Sequence, residues 1–220
     1  RYYRSWAKIT TMLFVAVVVA ALLIGLYGFR RVNMPPAGMM VYLLITGFCY
    51  MLVEITFIAK LELFLENPLY SMALLLSIFL LTNAIGSMLY GRYNDKLNMT
   101  LMPLFVAAVV LVTLAAISGI IQVRLGMPLA LKIVITVLVI SPVGVLLGLF
   151  YPYVVTHLTE RGLGNAVPIT YGVSTLSSVA GSTYAMTLII NLGYTNMIYQ
   201  AAIGYAVLTA LMVVLNRWGR

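Results

Sequence analysis

The stretch 47–64, GFCYMLVEITFIAKLELF, decides the reading of this chain. It is apolar enough for a membrane helix, yet it carries Glu54 near its centre. A charged group at mid-bilayer costs roughly 2.5–3.5 kcal/mol on insertion scales, so it persists only where it is paired, protonated or turned toward a cavity. On a helix with a 3.6-residue period, Gly47, Tyr50, Met51, Glu54, Ile58 and Leu61 share one stripe. Tyr50 lies one turn from Glu54 and is placed to donate to it. Lys60 is about 9 Å further along the axis and rotated to another face. Any Glu54–Lys60 contact must therefore run through another helix or water.

The same apolar character fills nearly the whole chain. Hydrophobic residues make up 63% and charged residues 8%, against about 45–50% and about 25% in soluble domains. Apolar runs between polar punctuation predict spans near 9–29, 38–64, 68–90, 100–122, 129–154, 167–190 and 195–216. The separators RRVNMPP (30–36), ENP (66–68), GRYNDKLN (91–98), RLGMP (124–128), HLTERGLGN (157–165) and LGYTN (192–196) carry helix-breaking chemistry. The expected fold is an all-α polytopic integral membrane bundle of about seven transmembrane helices, one domain over 1–220. Short connections make consecutive helices antiparallel neighbours. The runs exceed the roughly 9–11 residues of a barrel strand and do not alternate, which disfavours a β-barrel.

The net charge of +8 comes from 13 basic residues spread among span ends. They read as membrane-flanking anchors, with the lipid bilayer as partner and no nucleic acid. One face receives Arg1, Arg4, Lys8, Lys60, Arg124 and Lys132; the other receives Arg30, Arg31, Arg92, Lys96, Arg161, Arg217 and Arg220. The strongly basic 91–98 connection makes the second face cytoplasmic by the positive-inside rule. Tyr90, Tyr151 and Tyr153, near span ends, are expected at headgroup level. Glu62 and Glu66 are expected to be solvated.

Further constellations concern packing and polarity inside the bilayer. The third span aligns Phe79, Asn83, Gly86, Ser87 and Tyr90, so Asn83 is a candidate neighbour of Glu54. The fifth contains GxxxG at Gly144 and Gly148 between Pro142 and Pro152, a helix-approach motif bracketed by bends. The sixth aligns Tyr171, Ser174, Thr175, Ser178, Gly181, Ser182 and Ala185, either a tight interface or the wall of a hydrated path. Cys49 is the sole cysteine, so no disulfide framework arises. His157 and Glu160 have no companions at metal-ligand spacing, and GxSxG, HExxH, P-loop and GxGxxG motifs are absent. Neither catalysis nor a metal or cofactor is expected of this chain.

Three motifs in order resemble a known family. The stretch 47–87 resembles the membrane portion of bacterial multi-spanning proteins that carry a spermidine synthase-like domain. The resemblance rests on Gly47, Phe48, Met51, Leu52, Val53, Glu54, Ile55, Leu65, Pro68, Tyr70, Gly86 and Ser87, with Lys60 in place of Arg. Pro142, Gly144, Gly148 and Pro152 match its second motif, and Pro168, Gly172, Ser178, Val179, Gly181 and Ser182 its third. Glu66-Asn67 stands where the family has Gly-His, Tyr171 where it has Trp, and Ser174-Thr175 where it has Asn-Gly. The synthase-like soluble domain is not in this sequence, so the resemblance implies the membrane half of such a protein, in a bacterial inner membrane. The Arg1 start is compatible with a longer polypeptide. GSMLYGRYNDKLN (86–98) is also similar to a loop in a six-helix half of a major-facilitator transporter, through Gly86, Arg92, Asp95 and Lys96.

The resulting expectation is a non-catalytic membrane domain that binds or passes a small cationic, polyamine-like molecule at Glu54. Tyr50, Asn83 and Ser174 are its candidate neighbours and Lys60 a tuning charge. Gly86, Pro142, Gly144, Gly148, Pro152 and Gly181 serve packing or hinging. The competing expectations are a Glu54 that merely fastens helices and a structural subunit packed against other membrane proteins.

Overall fold

The computed structural model describes residues 36–94, 97–122 and 127–218. The expected span at 9–29 and its basic leader lie outside them. The described chain forms helices α1 (Ala37–Leu65), α2 (Pro68–Tyr93), α3 (Met102–Gln122), α4 (Leu129–Leu147), α5 (Phe150–Glu160), α6 (Val167–Leu192) and α7 (Tyr194–Trp218), with a 3₁₀ turn at Gly164–Ala166 before α6. No strand occurs among the described residues. Among the described residues, five segments are long and apolar enough to cross a membrane: Ala37–Leu65, Pro68–Tyr93, Met102–Ile121, Leu129–Glu160 and Asn196–Val214.

The outside of the bundle is apolar. Leu80, Met88, Val112 and Leu138 are all exposed, an arrangement that water would penalise and hydrocarbon would not. Helix α1 sits at the centre, packed against α6, α7 and α2, while α2 packs on α4 and α3 on α7. The residue pairs Leu44–Ser177 and Phe48–Tyr184 show α1 and α6 running in the same direction, as alternating antiparallel crossings require.

The turn between α1 and α2 shows how local chemistry sets the boundaries. Glu66 ends α1 in the left-handed conformation at φ 57°, returning its N–H to the Glu62 carbonyl. Left-handed backbone favours glycine, yet glutamate adopts it here. Asn67 then caps α2, its Oδ1 accepting from the N–H groups of Leu69 (3.0 Å) and Tyr70 (3.2 Å), with Pro68 in the first turn. Asn67→Ala is expected to cost about 1 kcal/mol, read as a lowered thermal unfolding midpoint in detergent. Glu66, expected to be simply solvated, is paired: Lys132 at the start of α4 reaches its Oε1 at 3.3 Å and also lies 5.7 Å from the Phe64 ring centroid. The Lys132 side chain is 10% exposed and that of Glu66 62%. Burial of the lysine stem, rather than the exposed carboxylate, makes this pair more than a surface ornament.

The expected 129–154 span lies within one apolar run, Leu129–Glu160, but the helix along it is interrupted by a turn. Helix α4 ends at Leu147, Gly148 and Leu149 form a turn, and α5 begins at Phe150. Pro152 explains the position. It has no N–H for the carbonyl four residues back, at Gly148, and its ring crowds that same carbonyl. The Leu149 N–H instead bonds the Leu146 carbonyl at 3.2 Å. Pro142, by contrast, lies inside α4 without ending it.

Candidate functional site

Glu54 sits slightly beyond the middle of α1 and is 7% exposed. Residues at four-residue spacing along α1 form a polar line of Tyr42, Thr46, Tyr50 and Glu54. Thr46 spends its hydroxyl on its own helix, donating to the Tyr42 carbonyl at 2.9 Å. The Tyr50 hydroxyl has a different partner on each side. It accepts from the Asn83 amide Nδ2 of α2 at 3.1 Å and lies one turn before Glu54 on α1, close enough to interact with its carboxyl. Since its lone pair serves Asn83, the Tyr50 proton is the one available to the carboxyl. The Tyr50 ring rests against Phe79, centroids 5.9 Å apart.

Asn83 is held from the opposite side by the break between α4 and α5. A Cβ at Gly148 would stand 2.4 Å from the Asn83 carbonyl oxygen and 2.7 Å from its Cα. Only a residue without a side chain lets α4 come this close. Gly86 meets the Val145 carbonyl in the same way, and Gly144 meets Thr82. Gly86, Gly144 and Gly148 thus form one seam joining α2 to α4, with Pro152 setting where the seam ends. The Asn83 Oδ1 is buried and finds no hydrogen-bond partner among the described residues.

Ser174 and Lys60 stand apart from this cluster. The Ser174 carbonyl lies over Gly47 and accepts the Ser178 hydroxyl at 3.0 Å. Gly47 is seven residues before Glu54, about 10 Å along the axis. Gly181 brings α6 against the Phe48 carbonyl, and Ser177 donates to the Leu44 carbonyl of α1. The small and hydroxyl-bearing stripe of α6 is therefore used to pack on α1. Lys60 is half-buried, and among the described residues no ion pair joins it, or any other cation, to Glu54.

Sequence reasoning passed over two groups. Tyr42 and Tyr205 are 1% and 0% exposed, and neither hydroxyl has a hydrogen-bond partner among the described residues. The four-residue spacing from Tyr42 to Glu54 was the available signal for the first; Tyr205 lies in an otherwise ordinary apolar helix. Tyr90 and Tyr153 join an aromatic cluster with Tyr42 and Phe150. Tyr42 lies 5.6 Å from Tyr153 and 6.1 Å from Phe150, and Tyr90 6.3 Å from Tyr153, between ring centroids. No three His, Cys, Asp or Glu side chains gather at metal-binding distance among the described residues.

The fold and site together define an all-helical bundle with membrane-compatible helices and a polar triad of Glu54, Tyr50 and Asn83 inside it. No family model, curated protein or solved structure matches the chain at significance.

Proposed function

We propose that this chain is a non-catalytic integral membrane domain that binds and passes a small polyamine-like cation at Glu54. The observation supporting this reading is a buried carboxyl near mid-helix that has a hydroxyl donor and no cationic partner among the described residues. A carboxylate buried in a low-dielectric interior without a counter-charge is strongly disfavoured, so it takes either a proton or a cation from outside. An ammonium group supplies both the charge and the donors that Glu54 and the free Asn83 Oδ1 can accept. The motifs resembling the spermidine synthase-like membrane proteins favour a polyamine and a bacterial inner membrane. A synthase-like soluble domain or other membrane subunits are the partners this reading implies. The face bearing Arg92 and Arg161 is then cytoplasmic.

The assembly reading draws in part on small-residue faces. Gly47, Gly86, Gly144, Gly148 and Gly181 meet the chain's own helices, whereas Gly119 and Gly172 have open space beside them. The test is saturable spermidine binding to the purified protein in nanodiscs, wild type against Glu54→Gln. Binding that requires the carboxylate supports the reading; equal affinity in the two proteins overturns it.

A further inference from the structure

The polar groups of the bundle do not stop at Glu54. The structure places a succession of them from the carboxyl to one end of the bundle: Glu54, Tyr50, Tyr205, Tyr42, Tyr153 and His157. Glu54 and Tyr50 are one turn apart on α1 and interact. The Phe150 ring stacks on Tyr205 of α7 at 5.7 Å and meets Tyr42 edge-on at 6.1 Å, and Tyr42 lies 5.6 Å from Tyr153, between ring centroids. The Tyr153 and His157 rings stack at 5.9 Å with an interplanar angle of 18°. His157 Nδ1 then lies 3.9 Å from the exposed Glu160 carboxylate. Along α1 alone, Tyr42 to Glu54 spans about 18 Å at 1.5 Å per residue, more than half of the roughly 30 Å hydrocarbon thickness.

Two members of this succession are hard to explain as packing. A buried hydroxyl left without a partner costs about 1–3 kcal/mol, and phenylalanine would fill the same volume without that cost. Tyr42 and Tyr205 both accept it, and they are the two members that lie between Tyr50 and Tyr153. Elsewhere in the bundle the buried hydroxyls of Thr46, Thr56, Thr82, Thr136 and Thr209 are satisfied by their own helix carbonyls. Unpartnered buried polar atoms in an otherwise satisfied core mark places where water or a polar solute is held.

We infer that these tyrosines line a cation-conducting route between Glu54 and the bundle end that bears His157 and Arg161. The inference rests on Glu54 being the cation site and adds where the cation enters and leaves. Phenolic oxygens offer lone pairs to an ammonium or to the water around it, and the ring faces attract cations. The inner cluster is thus suited to a positively charged solute. Glu160 and Arg161 at the mouth provide opposite charges flanking His157.

Silver ion, a small thiol-reactive cation, tests the route. In a Cys49→Ser background, which removes the sole native thiol, single cysteines are placed as Tyr42→Cys, Tyr205→Cys and the half-buried Tyr153→Cys. His157→Cys serves as the marker of the mouth. In oriented proteoliposomes, silver added on the His157 side is expected to abolish the free thiol of each variant, as read after denaturation by maleimide labelling and intact mass. Silver on the other side is expected to leave Tyr42→Cys and Tyr153→Cys free. The inference is overturned if His157→Cys reacts while the deeper thiols stay free, or if they react only from the opposite side. Should Tyr42→Cys fail to fold, Tyr153→Cys and Tyr205→Cys carry the same decision. The two readings fail separately: spermidine binding indifferent to Glu54 removes the site, whereas unreactive thiols beside Glu54-dependent binding remove only the route.

Discussion

Gly148→Val is expected to be among the most damaging single substitutions in the described chain, because it strikes backbone on both sides. Its Cβ alone would meet the Asn83 carbonyl oxygen at 2.4 Å and the Asn83 Cα at 2.7 Å. Neither atom can rotate away as a side-chain tip could, so α2 and α4 must separate. Overpacking of this kind costs about 1–3 kcal/mol and at times more; the rigid seam puts Gly148→Val at the upper end. Displacing α2 also draws Asn83 away from Tyr50, which couples the stability loss to the triad. Gly172→Ala is the matched control. Nothing lies within 4 Å of a Cβ there, and alanine in a helix interior is favoured over glycine by about 0.5–1 kcal/mol. Thermal unfolding in detergent should separate the two variants in opposite directions from wild type. A Gly148→Val protein as stable as Gly172→Ala would mean that the close seam does not hold α2 and α4 together.

The seam and the triad differ in how far the sequence discloses them. Gly144 and Gly148 between two prolines announce a close approach and a break, since both follow from missing atoms: no Cβ, no N–H. The partner of that approach, Asn83, is invisible in one dimension, because it lies on a helix two crossings earlier. Asn83 could still be set beside Glu54 by helical period, since α1 and α2 are joined by a short turn and must lie side by side. Ser174 failed to join the triad for a related reason. Its stripe has the composition of either an interface or a wetted wall, and only the pairing of Gly47 with Ser174 and of Gly181 with Phe48 shows that the stripe is spent on α1. Lys132 was assigned to a headgroup surface by its charge alone. Its reach back to Glu66 depends on the α4 start lying beside the α1–α2 turn, a tertiary fact with no local signature. Tyr42 and Tyr205 were missed because the burial of a tyrosine hydroxyl depends on what packs against it, which residue type does not encode.

Glu54→Gln and Glu54→Leu are expected to diverge, and the divergence separates a binding carboxylate from a fastener. Glutamine keeps the shape and an oxygen that accepts the Tyr50 hydroxyl, so unfolding should occur near the wild-type midpoint. It loses the charge. An ammonium about 4 Å from a carboxylate gains about 4 kcal/mol at an effective dielectric of 20; after desolvation, the loss of spermidine affinity should still be roughly a hundredfold, about 2.7 kcal/mol. Leucine fits the apolar setting but leaves the Tyr50 hydroxyl without its acceptor, at a cost of about 1–3 kcal/mol. In the Leu background, Tyr50→Phe should recover part of that loss, because removing both members of a buried pair is less harmful than removing one. A fastening Glu54 gives another pattern: glutamine would fasten as well as glutamate and spermidine binding would be unchanged by it. Unfolding midpoints and spermidine titrations on the same three variants therefore decide between the two roles, since a hydrogen bond survives the change to glutamine and a charge does not.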